Sequence, residues 1–284
     1  MGKSARMLAH TNIVFLGSGV MAESMLSGLL NRQLLQSDQI IVSDPLARRR
    51  AELYERYGVV GTADNIEAIA EADIVVLAVK PQVLESVLME TSGRLEPGQL
   101  VISIVAGAAL DTIAWGLDHR EIVRVMPNTP ARIGEGMSVW TATPEVCETD
   151  LERTRCILQA LGKEIYVTNE DELDMATALS GTGPAYVFLF MEALVDAGVH
   201  LGFSRSVAQE LVLQTVRGSV DFASQFSGHL ADLRNQVTSP GGTSAEALYQ
   251  MEKGALRTIV SKAVYAAYQR SRALSRISEP PTVG

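Results

Sequence analysis

The chain has 284 residues, 47% of them hydrophobic and 20% charged. That is an ordinary soluble composition, long enough for one large or two ordinary domains. A net charge of −9 and a pI near 5.0 exclude a broadly basic surface of the kind that binds nucleic acid or anionic membranes, although Arg48-Arg49-Arg50 can still meet a single phosphate. Cys147 and Cys156 form neither a metal spacing nor a disulfide framework and suit a reducing cytoplasm. His10, His119, His200 and His229 are scattered, so no metal site is expected.

In chain order, residues 1–10 carry Lys3 and Arg6 without an apolar run. They read as a loose extension rather than a signal peptide. Asn12-Ile13-Val14-Phe15-Leu16 predicts a buried strand, which runs into Gly17-Ser18-Gly19-Val20-Met21-Ala22. Met21, Met25, Leu26 and Leu29 then recur at helical spacing. A second strand at 40–42 closes at Ser43-Asp44-Pro45, and Pro45 suits the first turn of a helix through Tyr57. A short strand at 59–60 and a helix near 64–71 follow. Further strands are expected at 73–79, ending at Lys80-Pro81, at 100–105 and at 122–126, ending at Pro127-Asn128-Thr129-Pro130. Strands at 139–141 and 164–167, around a helix at 145–161, are expected at the sheet edge.

Strands alternating with helices argue a parallel sheet covered on both faces. After Val167 the strand pattern ends, and helices are expected at 170–180, 183–202, 205–225, 229–236, 243–252 and 254–275. The stretch 185–201 is the most apolar, but it contains Glu192, Asp196 and His200, so it reads as a buried or subunit-interface helix and not a membrane span. Met175, Met191 and Tyr186-Val187-Phe188 read as core or dimer interface, and Glu246 and Glu252 as solvent-facing or capping residues. The tail 278–284 reads as disordered.

Gly17-x-Gly19-x-x-Ala22, after a strand and opening a helix, is the context that a dinucleotide fingerprint requires. Gly17 permits the tight turn, Gly19 the approach of a pyrophosphate, and Ala22 close helix–strand packing. Asp44, ending the second strand, can accept from an adenosine ribose 2′-hydroxyl and tilts the reading toward NADH. Arg48, Arg49 and Arg50 can reverse that tilt toward NADPH, so the choice stays open. Open α/β sheets bind ligands at the carboxyl ends of their strands. The cofactor-binding candidates are therefore Gly17, Ser18, Gly19, Val20, Met21, Asp44, Ala78, Val79, Lys80, Pro81 and Asn128. Lys80 also reads as a plain exposed lysine, and Asn128 as a turn residue.

Near the C-terminus, Val237-Thr238-Ser239-Pro240-Gly241-Gly242-Thr243-Ser244 runs straight into a helical pattern. Gly241 and Gly242 permit positive φ and close ligand approach, and Thr243 or Ser244 can cap the helix. A helix start of this kind favours an anionic group, most plausibly a carboxylate.

This loop, together with Phe15–Ala22, Val79-Lys80-Pro81-Gln82, Val125–Pro130 and Ser180-Gly181-Thr182-Gly183-Pro184-Ala185-Tyr186, resembles the pyrroline-5-carboxylate reductase family over residues 12–275. The resemblance implies a Rossmann-type doubly wound parallel sheet over 1–168 and an all-α dimerisation and substrate-binding domain over 169–284. It implies a dimer, extending to a decamer, with an active site between the two domains to which the partner subunit contributes. The implied reaction is hydride transfer from NADPH or NADH to a cyclic imine carboxylate, in the cytoplasm, with neither nucleic acid nor membrane as partner. Ser244 would act at the ring nitrogen, Gly242, Thr243 and Ser244 would hold the substrate carboxylate, Thr238, Ser239 and Gly241 would support them, and Thr182 would line the opposite side. The chain departs from the family pattern at Ser244, where threonine is usual, and at Val20, where asparagine is common. These departures leave open a reductase of another cyclic imine acid. A non-catalytic NAD(P)-binding regulator is the remaining alternative.

Overall fold

The computed structural model describes residues 6–277. Its first half is built on one sheet of β1 (Ile13–Leu16), β2 (Ile40–Ser43), β3 (Val60–Thr62), β4 (Ile74–Leu77), β5 (Leu100–Ser103), β6 (Ile122–Met126), β7 (Gly136–Ala142) and β8 (Gly162–Tyr166). The spatial order is β3-β2-β1-β4-β5-β6-β7-β8. All neighbours are parallel except the antiparallel pair β6 and β7. The crossovers carry α1 (Val20–Asn31), α2 (Ala47–Tyr57), α3 (Asn65–Ile69), α4 (Pro81–Thr91), α5 (Leu110–Leu117) and α6 (Glu148–Gln159).

The apolar runs become central strands because both faces are covered. On β1, Ile13 and Phe15 join one buried cluster with Met25, Leu26, Leu29 and Trp140. Val14 and Leu16 join the other, with Leu84, Leu88, Ile113 and Leu117. Alternate residues of one strand thus serve two cores.

Two elements differ from the sequence expectation. The strand at 139–141 is longer and lies inside the sheet as β7, leaving only β8 at that edge. A 3-10 turn over Thr129–Ile133 ends at Gly134 with φ +75°, and so short a link can join only antiparallel neighbours. Residues 6–10 are not a loose extension. Leu8 is fully buried in the β1-side cluster, and the Gln39 amide donates to the carbonyls of Leu8, Ala9 and Thr11 at 3.4, 3.3 and 3.2 Å. The expected disorder of 278–284 falls outside the described residues.

The chain divides into two compact units. One comprises the sheet, continues to Thr182 and takes in the chain from Ala267 onward; the other is Gly183–Ala266. In the first, α7 (Asp171–Ala176) runs into a π-turn over Thr177–Gly181. Arg124 of β6, 5% exposed, pairs with Glu170 at 2.6 Å and lies 3.9 Å from Asp174. Asp174 Oδ1 also accepts from Ser271 and Ser275, at 2.6 and 3.1 Å. These bonds join the end of the long helix α12 (Leu256–Ile277) to the sheet unit.

The second unit is helical: α8 (Gly183–His200), α9 (Arg205–Ser224), α10 (Leu230–Gln236), α11 (Thr243–Lys253) and the start of α12. At Gly198 a Cβ would lie 2.9 Å from the Ala208 Cβ, so glycine lets α8 and α9 pack closely. Among the described residues, only Val195 and Ala208 are buried in this unit. By length and composition the helical stretch 171–200 would pass as a membrane span. The π-turn interrupts it, and Glu192 and Asp196 lie on its exposed and half-buried surface, a costly arrangement in hydrocarbon.

Leu8→Ala leaves a cavity in the core of the sheet unit and is expected to cost about 3 kcal/mol. Urea denaturation followed by far-UV circular dichroism checks this; a loss below about 0.5 kcal/mol, the range of ordinary surface substitutions, contradicts the docked N-terminus.

Candidate active site

β1 lies between β2 and β4, where the strand order changes direction. That is the switch point at which open α/β sheets bind ligands. Gly17 follows β1 with φ +90°, and a Cβ there would sit 2.9 Å from the Val79 side chain and 3.0 Å from the Ala78 backbone. Only glycine therefore lets the loop pass the end of β4. Gly19 is different: a Cβ would meet nothing within 4 Å, so its face is open. Gly19 is also the N-cap of α1, with no side chain accepting from the first turn. A glycine cradle ending in a bare helix start fits a dinucleotide diphosphate. Val20 is exposed, whereas Met21 packs against the core; what Met21 can offer a ligand is its backbone.

Asp44 is committed to this loop. Its Oδ2 accepts from the Ser18 N–H at 3.2 Å and the Ser18 hydroxyl at 2.6 Å, and its Oδ1 accepts from the Leu46 N–H at 2.9 Å. Ser18 is buried, so its role is to hold Asp44.

The three arginines behave differently. Arg49 donates through Nε to the Ser18 carbonyl at 2.8 Å and pairs with Glu23 at 2.6 Å. Arg50 donates to the Asp44 carbonyl at 2.6 Å, and its stem packs on Gly61. The Arg48 side chain is 91% exposed. Arg56 and the Tyr57 hydroxyl also donate to Glu23, at 2.8 and 3.0 Å. Burial pushes the Glu23 carboxyl up, but the bonds from Arg49, Tyr57 and Arg56 outweigh it and hold the carboxyl below its ordinary range. A lowered value means the cluster stabilises the fold at neutral pH and loses that contribution only in acid, as Glu23 protonates. For Tyr57, burial and the Glu23 charge raise the phenol.

Lys80 is exposed and caps α4, with Pro81 at its first position. The Asn128 side chain is engaged at both ends: its amide donates to the Ser180 carbonyl at 3.1 Å and its oxygen accepts from the Met137 N–H at 2.9 Å. It ties the end of β6 to the π-turn, where Gly181 leaves room for Met126. The Thr182 hydroxyl donates back to the Thr177 carbonyl at 2.8 Å. A π-turn spaces its carbonyls for such a side-chain bond and is often found at functional sites.

In the helical unit, the loop before α11 turns at Gly241, with φ +69°. At Gly242 a Cβ would lie 2.5 Å from Ser239 Oγ, and its N–H donates to the Ser239 carbonyl at 3.0 Å. The N-cap is Gly242, not Thr243 or Ser244, and no side chain accepts from the first turn. Thr243 and Ser244 instead occupy the first two helical positions, where backbone N–H groups have no intrahelical acceptor. The Thr238 hydroxyl donates to the Arg234 carbonyl at 2.6 Å and so braces the loop from within. The start of α11 is thus a bare helix N-terminus, which favours an anionic group.

The sequence motifs thus fall into two groups, one at the β1–β4 loop edge and one at the start of α11. Reading the sequence did not reveal Glu23 as the hub of the arginine cluster; an acidic residue in the first helical turn was the one available signal. Known proteins divide the chain in a corresponding way. Residues 12–107 match a family described as coenzyme F420-dependent NADP oxidoreductase, and residues 170–274 match the pyrroline-5-carboxylate reductase dimerisation family. The pyrroline-5-carboxylate reductase of Synechocystis sp. is 41% identical over 92% of this chain and 97% of its own. Among solved structures, the pyrroline carboxylate reductase of Plasmodium falciparum with NADP bound has a TM-score of 0.86 at 33% identity, covering 94% of this chain and 98% of its own. The Coxiella burnetii pyrroline-5-carboxylate reductase has a TM-score of 0.86 at 37% identity, over 93% and 98%. With a glycine loop at the sheet switch point, an uncapped helix start at α11 and relatives alike over nearly their whole length, the chain belongs to the pyrroline-5-carboxylate reductase family.

Proposed function

We propose that this protein reduces 1-pyrroline-5-carboxylate to L-proline in the cytoplasm, using NADH or NADPH. The observation that carries this reading is the uncapped start of α11, bearing the Ser244 hydroxyl, in a chain that also carries a fitting dinucleotide loop. When bound, reduced nicotinamide would supply the hydride that the C=N carbon of the protonated imine accepts, giving the amine of proline. Backbone N–H groups of Thr243 and Ser244 hold the substrate carboxylate, helped by the partial positive charge of the helix start. Gly241 and Gly242 shape that cradle, and Ser239 and Thr238 keep it rigid. Ser244 Oγ orients the ring nitrogen. Gly17, Gly19, Val20, Met21 and the Ala78-Val79 backbone hold the dinucleotide, with Lys80 and Pro81 starting the adjoining helix. Asn128 fixes the π-turn that ends at Thr182, which is a further substrate contact.

A protonated imine already accepts hydride, so the site needs orientation more than a strong acid. Serine meets that need with a hydroxyl that is freer about χ1 than the β-branched threonine usual in the family.

The helical unit oligomerises. Phe188 and Leu189 of α8 are 62% and 67% exposed in a single chain, among many apolar neighbours on α8 and α9. We assign this face to a second copy in a homodimer, the unit from which a decamer is built.

Ser244→Ala is expected to lower kcat/KM for pyrroline-5-carboxylate by about 10²-fold, as for loss of one placed donor, with Ser244→Thr retaining activity. Initial rates of imine-dependent oxidation at 340 nm read this directly. Full activity in the alanine variant removes Ser244 from the reaction, and a clear preference for a six-membered cyclic imine overturns the assigned substrate. Light scattering is expected to give a dimer or a larger even assembly, and Leu189→Glu to shift it toward monomer. A stable wild-type monomer at micromolar concentration refutes the interface.

A further inference from the structure

The proposed function leaves the choice between NADH and NADPH open, and the cluster around Glu23 bears on it. Both cofactors share the diphosphate; they differ at the adenosine ribose, where one presents a 2′-hydroxyl and the other a 2′-phosphate. The group at the end of β2 facing that difference is Asp44. Each carboxylate oxygen has two acceptor positions. Ser18 takes both on Oδ2 and Leu46 takes one on Oδ1. One acceptor position remains, on a carboxylate that cannot rotate without breaking three hydrogen bonds. It suits a hydroxyl donor and repels a phosphate.

Reversing that preference requires an uncommitted guanidinium. Arg49 touches the loop directly, its Nε donating to the Ser18 carbonyl at 2.8 Å. Its remaining nitrogens go to Glu23 at 2.6 Å and Glu52 at 3.4 Å. Glu23 also holds Arg56 at 2.8 Å. Arg50 is held by the Asp44 carbonyl and by packing on Gly61. Arg48 is exposed and pairs with Glu52 at 3.6 Å, one turn along α2.

We propose that Glu23 is a specificity-determining positioning residue. By holding Arg49 and Arg56 it keeps their charge off the adenosine ribose, leaves Asp44 as the recognising group, and makes the protein prefer NADH over NADPH. The inference rests on the reading that the β1 loop holds a nicotinamide dinucleotide. It does not depend on which imine is reduced.

The test is equilibrium binding of NADH and NADPH to the full-length protein without imine, followed by nicotinamide fluorescence, for wild type and four variants. Wild type is expected to bind NADH at least tenfold tighter than NADPH. Glu23→Gln frees the arginines and is expected to narrow that ratio tenfold or more by tightening NADPH, while Glu23→Asp keeps it near the wild-type value. Asp44→Ser narrows the ratio from the other side, by weakening NADH and relieving the repulsion. Arg48→Ala leaves the wild-type ratio unchanged. A wild-type preference for NADPH overturns the proposal, as does a Glu23→Gln protein that loses both cofactors equally, which would make Glu23 merely structural. A ratio that moves with Arg48→Ala and not with Glu23→Gln overturns it too. Should Glu23→Gln fail to fold, the wild-type ratio and the Asp44 and Arg48 variants still decide. NADH discrimination without imine-dependent oxidation sinks the reductase reading and leaves this inference standing; no binding of either cofactor sinks both.

Discussion

The constraint on which the nucleotide-binding half depends is the placement of β1 between two parallel partners. Ile13, Val14, Phe15 and Leu16 pair in register with Ile40–Ser43 on one side and Ile74–Leu77 on the other. Alternate residues of β1 enter different cores. A slip of one residue would exchange the two faces and put every side chain in the wrong layer. Register therefore fixes where β1 ends relative to β4, and so which backbone Gly17 must pass. The missing Cβ at Gly17 follows from that position: the sheet brings the Ala78 carbonyl to where a side chain would be. The dinucleotide loop is a consequence of strand packing as much as of its own sequence.

Charge placement at this edge follows from the same geometry. Once β2 is parallel to β1, its last side chains stand beside the β1 loop, and Asp44 reaches Ser18. The first turn of α1 then brings Glu23 up to α2, where Arg49, Arg56 and Tyr57 converge on it. A partly buried carboxylate is tolerated when hydrogen bonds to it outweigh its desolvation, and three donors meet that condition here. The cluster braces the loop by fixing Arg49 against the Ser18 carbonyl, and it holds positive charge away from the position of a ribose 2′-phosphate. Structural support and chemical selectivity reside in the same ion pairs.

What was legible in the sequence was local. The apolar runs, Gly17-x-Gly19-x-x-Ala22, Pro81 at a helix start and the Pro240-Gly241-Gly242 turn each have a short-range physical signature, and each lies in the expected kind of element. The helices after Val167 match to within a few residues, since apolar spacing fixes existence better than ends. What was not legible depended on distant partners. The burial of Leu8 depends on Gln39 and the β1-side core, which no local pattern encodes. β7 reads as a plausible edge strand until β8 is seen outside it. Ser18 resembles a ligand contact in its motif, yet its side chain serves Asp44. Asn128 reads equally as a turn or a contact, and it holds two backbone groups that the fold brings together. α11 starts at Thr243 as expected, but its cap is Gly242 in an extended conformation, and neither hydroxyl turns back to cap it.

The helical unit raises a different question of stability. Ordering a residue costs about 1 kcal/mol or more of backbone entropy, and burial of apolar surface is the main term that offsets it. With Val195 and Ala208 as its buried residues, the single-chain unit has almost no such term. Close packing of Gly198 on Ala208 joins two helices but encloses no core. The stabilisation must come from covering the apolar surfaces of α8 and α9, so folding of this unit and assembly of the oligomer are one equilibrium. The loop carrying Gly241, Gly242 and Ser244 is built on α10 and α11 of the same unit. Assembly is therefore a condition for that loop to have a fixed shape, whereas the β1 loop, backed by two full cores, holds its shape in each chain alone.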